Sequence, residues 1–169
     1  MKMNPPGARV TRVLMVCMGN ICRSPTAEEV LRRKLQAAGM DGRVVVDSAG
    51  THADWHAGEA PDPRSIRHAA RRGYDLRALR ARRVEAADLE QFDLILAMDD
   101  LNLARLEEMA GRKHRPKLGL LTDHLVRLTA DEVPDPYQGG EAGFEVVLDL
   151  IEDACDGVVR HLRSQGHGG

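Results

Sequence analysis

The sequence has few aromatic residues and no long apolar run near its start. Phe, Trp and Tyr together make up 3% of its 169 residues, which is too few for the stacking platforms that bind single-stranded nucleic acid. The apolar run Val13 to Met18 has six residues, and both a signal-peptide core and a membrane span need more. We therefore expect no nucleic-acid partner and no membrane insertion.

Cysteine is scarce as well. The three thiols are Cys17, Cys22 and Cys155, an odd number and too few for the disulfide framework of a small secreted protein. We expect them to stay reduced, which predicts a cytoplasmic protein. Cys155 falls on an apolar helical stripe and is predicted to be a core residue.

An excess of charge of one sign is also lacking, because 24 Lys and Arg oppose 26 Asp and Glu. The two halves nevertheless differ. Residues 1–83 hold 16 basic and 8 acidic residues (+8), and residues 84–169 hold 8 basic and 18 acidic residues (−10). This asymmetry suggests an anionic partner for the first half. Eight arginines fall within 64–83; most are expected to be solvated, and a few can steer acidic, phosphorylated protein tails.

Strand and helix patterns alternate along the chain. Residues 1–11 are predicted to be a flexible leader, followed by a single domain over 12–165. Strands are predicted at 12–17, 43–50, 92–98 and 117–121, and helices after Ser24-Pro25, after Asp62-Pro63, after Asp99 and along Phe144 to Leu162. The predicted fold class is α/β, a small doubly wound sheet of about four parallel strands with helices on both faces. Its ligand should bind at the carboxyl ends of the strands.

One loop concentrates the chemistry: Cys17-Met18-Gly19-Asn20-Ile21-Cys22-Arg23-Ser24. The backbone N–H groups of a tight loop and of a helix N-terminus converge on one point and bind an oxyanion. Arg23 adds a planar fork that fits two phosphate oxygens. Gly19 and Asn20 suit such a loop because both tolerate left-handed backbone conformations. Residues 18–24 are therefore predicted to bind phosphate.

The same positive field favours the thiolate form of Cys17, and Ser24 can donate a hydrogen bond to the sulfur. A thiolate beside a bound phosphate is a nucleophile directed at phosphorus. The ATP-binding pattern GxxxxGK[ST] is absent, so we expect a phosphoryl group to be attacked rather than a nucleotide to be held. The alternative is that Cys17 and Cys22 are ordinary packed residues.

Attack on an aryl phosphate also calls for an acid that protonates the leaving oxygen. Asp135 is the candidate, because Pro136 stiffens its loop and that loop should return to the strand ends just before the last helix. Its alternative role is to begin a turn. No metal and no cofactor are expected, since Arg23 and backbone dipoles stabilise the transferring charge. The triplet His52-x-Asp54-x-His56 has metal-ligand residue types but is a weak pattern by itself.

These segments resemble the low-molecular-weight protein tyrosine phosphatases, in particular their bacterial members. The resemblance rests on VCMGNICRSPTAEE, DSAGT, PDPR, FDLILAMDDLNLARL and the DPY of Asp135 to Tyr137, and it spans residues 12–163 in the family's order. It implies a phosphatase that hydrolyses phosphotyrosine through a phosphocysteine. In that reaction Cys17 is the nucleophile, Arg23 the phosphate ligand and Asp135 the general acid.

The resemblance also implies supporting residues. Asn20, Ser24 and Ser48 would brace the loop, and Trp55 and Tyr137 would flank the phenyl ring of the substrate.

Two features stay open within this resemblance. It suggests a protective disulfide between Cys17 and Cys22, with simple packing of Cys22 as the alternative. The sequence departs from the family at Leu79, where relatives often have a histidine. If that histidine braces Asn20, the loop network has one hydrogen bond fewer here.

Other functions of the same fold are less well supported. Arsenate reductases need further cysteines for a disulfide relay, and none lies between Cys22 and Cys155. Protein arginine phosphatases tend to have Thr and Phe where this chain has Ile21 and Tyr137. A non-catalytic phosphoprotein-binding domain would not need Cys17. The expected partner is a phosphotyrosine protein, for which the family suggests a bacterial tyrosine autokinase, and the chain is expected to be a monomer or weak dimer.

Overall fold

A computed structural model describes residues 9–136 and 140–165 and shows one four-stranded sheet. The strands are β1 (Thr11–Cys17), β2 (Val44–Gly50), β3 (Leu94–Ala97) and β4 (Leu118–Leu120). They lie in the order β2-β1-β3-β4, and every pair is parallel. The predicted α/β fold class is confirmed. Thr11 is buried and pairs with Val44, so β1 starts one residue inside the predicted leader, whose residues 1–8 lie outside the described part.

In the described part of the chain, five α-helices connect and cover the strands. They are α1 (Arg23–Ala37), α2 (Pro63–Arg71), α3 (Ala86–Gln91), α4 (Asp100–His114) and α5 (Glu141–Ser164). Asp62 and Asp99 cap α2 and α4 by accepting hydrogen bonds from Arg64 N and Asn102 N, as residues at these positions commonly do. Sequence periodicity did not predict α3, because its six residues are fewer than two turns.

The side chains of β1 alternate between two cores, because successive residues of a strand point to opposite faces of the sheet. Val13 and Met15 pack with residues of α1 and α5 on one face. Leu14 and Val16 pack with residues of α3 and α4 on the other. All four are fully buried, which explains why β1 is a continuous apolar run.

The strand order creates a crevice at the carboxyl ends of the two central strands, β1 and β3. The chain leaves β1 through α1 towards β2 on one side, whereas it leaves β3 through α4 towards β4 on the other. Such a reversal separates the two connecting loops and opens a space between the carboxyl ends of the two strands. Cys17 ends β1 and Asp99 follows β3, so the phosphate-binding loop predicted from the sequence lies at this crevice.

Among the described residues, no helix is both long enough and apolar enough to cross a bilayer.

Candidate active site

The loop after β1 is shaped by two backbone positions. Asn20 has a φ of 56°, the left-handed conformation predicted for it. Gly19 does not adopt a positive φ; its lack of a side chain instead leaves room for His56, whose Cδ2 would lie 3.2 Å from a Cβ at that position. Gly50, at the end of β2, packs closely against the backbone of this loop. A Cβ there would lie 2.6 Å from Met18 O and 3.0 Å from Asn20 N, so only glycine fits without a shift of the loop.

The three residues expected to brace the loop meet around Asn20. Asn20 Nδ2 donates to Ser24 Oγ at 2.7 Å and to Ser48 Oγ at 2.9 Å. Asn20 Oδ1 accepts from Arg82 N at 2.9 Å. The backbone of Arg82 therefore supplies a third hydrogen bond to Asn20, and Leu79 does not leave this amide oxygen without a donor.

Glu28 extends this network, which sequence reasoning missed. Ser48 Oγ donates to Glu28 Oε1 at 2.6 Å, and Arg32 forms an ion pair with the same carboxylate. Glu28 is almost fully buried, and this burial raises the pKa of its carboxyl although Ser48 and Arg32 oppose the rise. A sequence signal existed, since α1 places Glu28 one turn after Ser24, on the same face.

The thiol of Cys17 lies at the centre of the loop and is 2% exposed. Its sulfur is 3.0 Å from Ser24 Oγ and accepts from Ser24 N at 3.4 Å. Since α1 begins at Arg23, the sulfur also faces the positive end of a helix. The sulfur therefore lies where the Ser24 hydroxyl, the Ser24 N–H group and the helix dipole can all interact with it.

Arg23 is also 2% exposed and is bound from two sides. Its NH1 group donates to Asp99 Oδ2 at 2.7 Å and to Val133 O at 3.0 Å, and NH2 lies 3.8 Å from Asp135 Oδ2. Burial alone would lower the pKa of this guanidinium, but Cys17 and Asp99 outweigh it and raise the pKa. Arg23 is therefore a fixed cation in the same loop as Cys17. Asp99 was predicted from the sequence only as a helix cap.

Asp135 lies at the mouth of the cleft with 47% of its side chain exposed. The segment just before Asp135 is attached to the residues that follow β3. Val133 N donates to Met98 O at 2.8 Å, and Glu132 accepts from Asp100 N at 2.7 Å. The cleft has a volume of about 180 Å³. Its lining consists of Cys17, Met18, Gly19, Ile21, Cys22, Arg23, His56 and Asp135.

The rim of the cleft includes a residue that was not assigned to it from the sequence. His56 lines the cavity, and its neighbour Trp55 is 89% exposed in the same 3-10 turn. His56 Nδ1 is 2.9 Å from Glu59 Oε2. Tyr137 lies outside the described residues. Sequence reasoning treated His56 only as a weak metal candidate.

The residues of the His52-x-Asp54-x-His56 triplet have separate partners. Thr51 contacts His52, Arg83 pairs with Asp54, and Glu59 contacts His56. No group of three or more His, Cys, Asp or Glu side chains in the described ranges is placed to hold a metal ion.

Cys22 is buried in the same loop as Cys17. All three cysteines are free thiols. Burial raises the pKa of Cys22 to about 12, against a partly opposing hydrogen bond from Ser65. Cys22 packs with Ile21, Ala81 and Phe144, while Cys155 is fully buried in the core formed by α1 and α5.

Comparison with known proteins assigns the chain to a family. The model of the low molecular weight phosphotyrosine protein phosphatases matches residues 12–167, and the chain belongs to this family. It is 37% identical over 153 residues to the low molecular weight protein-tyrosine-phosphatase YfkJ of Bacillus subtilis, covering 90% of this chain and 96% of YfkJ. The predicted resemblance is confirmed, and the chain is a phosphatase.

Solved structures agree with this assignment. The crystal structure of YfkJ matches with a TM-score of 0.87 over 94% of this chain and 98% of YfkJ. A protein tyrosine phosphatase from Entamoeba histolytica, solved with Hepes in its active site, matches with a TM-score of 0.89 at 36% identity over 92% of this chain and 99% of its own. Wzb of Vibrio vulnificus, in complex with benzylphosphonate, matches with a TM-score of 0.79 at 29% identity, over 90% of this chain and 99% of its own.

Proposed function

We propose that this chain hydrolyses phosphotyrosine in proteins through a phosphocysteine on Cys17. One observation carries the proposal: the Cys17 sulfur, the Arg23 guanidinium and the Asp135 carboxylate line the same cleft at the switch point of the sheet. The family relationship supports it. Wzb binds benzylphosphonate, which has the tetrahedral anion and the aromatic ring of a phosphotyrosine side chain.

Substrate binding uses the cradle of backbone amides and Arg23. The N–H groups of residues 18–24 point their partial positive charge at the phosphoryl oxygens, and the part of the Arg23 fork that Asp99 does not hold binds two of them. Asn20 keeps the cradle in shape through its contacts with Ser24 and Ser48. The aromatic ring then lies towards the rim, where His56 is found and where we place Trp55 and Tyr137 beside it.

In the first step the Cys17 thiolate attacks phosphorus and forms a P–S bond while the P–O bond to the phenol breaks. Asp135 gives its proton to the departing phenol oxygen, a contribution of about 10²–10⁴ to the rate. Arg23 and the loop amides stabilise the charge on the equatorial oxygens. The products are tyrosine and a phosphocysteine.

In the second step water attacks the phosphorus and the P–S bond breaks. The ionised Asp135 accepts a proton from the attacking water, and the electron pair of the broken bond returns to the Cys17 sulfur. Ser24 Oγ, 3.0 Å from that sulfur, donates to the thiolate as it leaves. Phosphate is released and the starting state is restored.

We further propose that residues 12–165 act as one catalytic domain on cytoplasmic phosphotyrosine proteins, a bacterial tyrosine autokinase among them. Ile21 and Tyr137 favour phosphotyrosine over phosphoarginine. Cys155 is fully buried against Ala27, which argues against a disulfide relay of the arsenate-reductase type. Initial rates on phosphotyrosine, phosphoserine and phosphoarginine peptides test this choice, and a preference for phosphoarginine would overturn it.

The nucleophile is tested with p-nitrophenyl phosphate in the presence of EDTA. We expect metal-independent turnover, no activity in Cys17→Ser, and retained affinity of that variant for inorganic phosphate. Cys155→Ser is the matched control, because it makes the same change at another buried thiol outside the cleft. Full activity in Cys17→Ser would contradict the proposal.

The acid is tested separately with Asp135→Ala. The loss in kcat/KM should be about 10²-fold or more on a phosphotyrosine peptide. It should be smaller on p-nitrophenyl phosphate, whose leaving group needs less help from a proton. An equal loss on both substrates would remove Asp135 from the acid role.

A further inference from the structure

Behind the cleft lies a buried histidine that the proposed mechanism does not use. The side chain of His68, on α2, is 3% exposed. Its Nε2 contacts Glu141 and its Nδ1 contacts Glu145, two carboxylates one turn apart at the start of α5. An ionised carboxylate only accepts hydrogen bonds, and a ring nitrogen of histidine that carries a proton donates one. His68 thus joins α2 to the first turns of α5 through two side-chain contacts.

The ring of His68 also stacks on that part of α5. It lies parallel to the Phe144 ring, with the centroids 5.4 Å apart and an angle of 7° between the planes. The Arg64 guanidinium lies 4.7 Å from the centre of the same Phe144 ring. Phe144 in turn packs on Ile21 and Cys22 of the phosphate-binding loop. Phe144 therefore lies between His68 and the phosphate-binding loop and contacts both.

The start of α5 depends on such outside contacts. Its N-cap is Gly140, which provides no side-chain hydrogen bond, and Gly143 lies in the first turn, where glycine costs about 1 kcal/mol relative to alanine. The helix dipole favours Glu141 at this end, and Glu141 is bound by His68 and by Arg67. These contacts from α2 fix the position of the first turn of α5.

The same helix start supports the segment that carries Asp135. A Cβ on Gly143 would lie 3.7 Å from Pro136 Cβ, and Pro136, His68 and Phe144 line one small cavity. Before Asp135, Val133 fixes the segment through hydrogen bonds with Met98 O and with the Arg23 side chain. After Asp135, Pro136 packs against the first turn of α5, which His68 contacts through Glu141 and Glu145.

We propose that His68 is a positioning residue for the general acid: by pinning the start of α5 through Glu141 and Glu145, it fixes Pro136 and so the carboxylate of Asp135. This inference rests on the proposed acid role of Asp135. His68 itself does not touch the substrate. Its loss should therefore reduce catalysis only in the two steps that Asp135 assists, and kcat/KM reports the first of them.

The test is His68→Phe, which keeps the aromatic stack and removes both donors. Glu141 and Glu145 have 58% and 42% of their side chains exposed, so water solvates their carboxylates in this variant and no buried charge is left without a partner. We expect kcat/KM to fall about tenfold on a phosphotyrosine peptide, a part of the full contribution of a general acid, and less than about threefold on p-nitrophenyl phosphate. In an Asp135→Ala background, the same substitution should change neither value by more than about twofold.

Two further variants keep the test independent of whether His68→Phe folds. Glu141→Gln weakens the contacts of both His68 and Arg67 at an exposed position, whereas Arg67→Met removes only the second contact. Glu141→Gln should reproduce the substrate-dependent loss and Arg67→Met should not. Tyr74→Phe is the control for general loosening between α2 and α5, since Tyr74 donates to Glu152 at 2.7 Å, far along α5; it should leave the ratio of the two kcat/KM values unchanged.

The possible failures are distinguishable. If Asp135→Ala itself shows no dependence on the leaving group, the acid role of Asp135 fails. If Asp135→Ala behaves as proposed but His68→Phe lowers kcat/KM by the same factor on both substrates, or equally in both backgrounds, His68 is structural and the inference is wrong. An equal effect of Arg67→Met and Glu141→Gln would also overturn it.

Discussion

Arg23 and Asp99 form a buried ion pair, with 2.7 Å between NH1 and Oδ2, that links the two strands at the switch point. Asp99 Oδ1 at the same time caps α4 through Asn102 N at 2.8 Å. The Asp99 carboxylate thus fixes both the start of α4 and the orientation of the Arg23 guanidinium. Because Asp99 and Val133 O both hold NH1, the rest of the guanidinium fork is left to face the cradle.

Asp99→Asn separates these two roles, because asparagine caps helices as well as aspartate does. We expect the thermal midpoint to change little, while the kcat/KM on aryl phosphates falls and the inhibition constant of inorganic phosphate rises, each by about tenfold, or roughly 1.4 kcal/mol. Asp100→Asn, one residue on and exposed, is the control. Unchanged phosphate inhibition in Asp99→Asn would show that Arg23 does not need this partner.

Much of the fold and of the loop could be predicted from the sequence, because their signals are local. The apolar run of β1 and the residues 17–24 are contiguous, and Asn20 adopts the left-handed conformation expected of it. The contacts of Arg23 with Asp99 and of Asn20 with Arg82 join residues that are 76 and 62 positions apart. No periodicity encodes such pairs. They follow from the strand order, which a single sequence only suggests.

His56 illustrates a different limit. Its neighbour Trp55 is the larger and more conspicuous residue, but the 3-10 turn over Asp54–His56 leaves Trp55 exposed and directs His56 to Gly19. The directions in which the side chains of so short a turn point depend on the neighbouring segments that contact the turn. Here Gly58 N donates to Ala81 O, a contact that the local sequence does not reveal.

Gly50→Ala tests the support beneath the loop. The new methyl group would lie 2.6 Å from Met18 O and 2.8 Å from Ala53 Cβ, so the loop backbone must move. We expect a loss of stability of about 1–3 kcal/mol, as for other overpacked sites, and a larger relative loss of kcat/KM. Gly119→Ala, whose methyl group would have its nearest neighbour at 3.4 Å, should stay close to the parent in both measurements. Equal behaviour of the two variants would contradict this role of Gly50.

Asp153 predicts a dependence of stability on pH. Its carboxylate is 5% exposed and accepts hydrogen bonds from the backbone N–H groups of Val126, Arg127 and Leu128. Burial alone would raise its pKa, but these hydrogen bonds outweigh burial and lower the pKa below the usual 3.8. The folded state therefore gains stability from the ionised group above this usual pKa, and loses it as the pH falls through the lower folded value.

Asp153→Asn should accordingly lower the thermal midpoint at neutral pH, by about 2–8 °C if the loss is about 1 kcal/mol. The difference from the parent should shrink when unfolding is measured at progressively lower pH below about 4. Asp149→Asn, on the same helix but exposed, is the control. A difference that is constant from neutral to acidic pH would show that the charge of Asp153 is not what stabilises the segment after β4.

The three thiols should differ sharply in reactivity. The Cys17 sulfur lies in the cleft and contacts Ser24 N and Ser24 Oγ, whereas burial raises the pKa of Cys22 to about 12 and the pKa of Cys155 well above its usual value. Because the thiolate is the reactive form, iodoacetate at neutral pH should modify Cys17 alone and abolish activity, and inorganic phosphate should slow the reaction by occupying the cradle. Peptide mass spectrometry locates the adduct. Modification of Cys22 at a comparable rate, or no protection by phosphate, would contradict the assignment of Cys17 as the activated thiol.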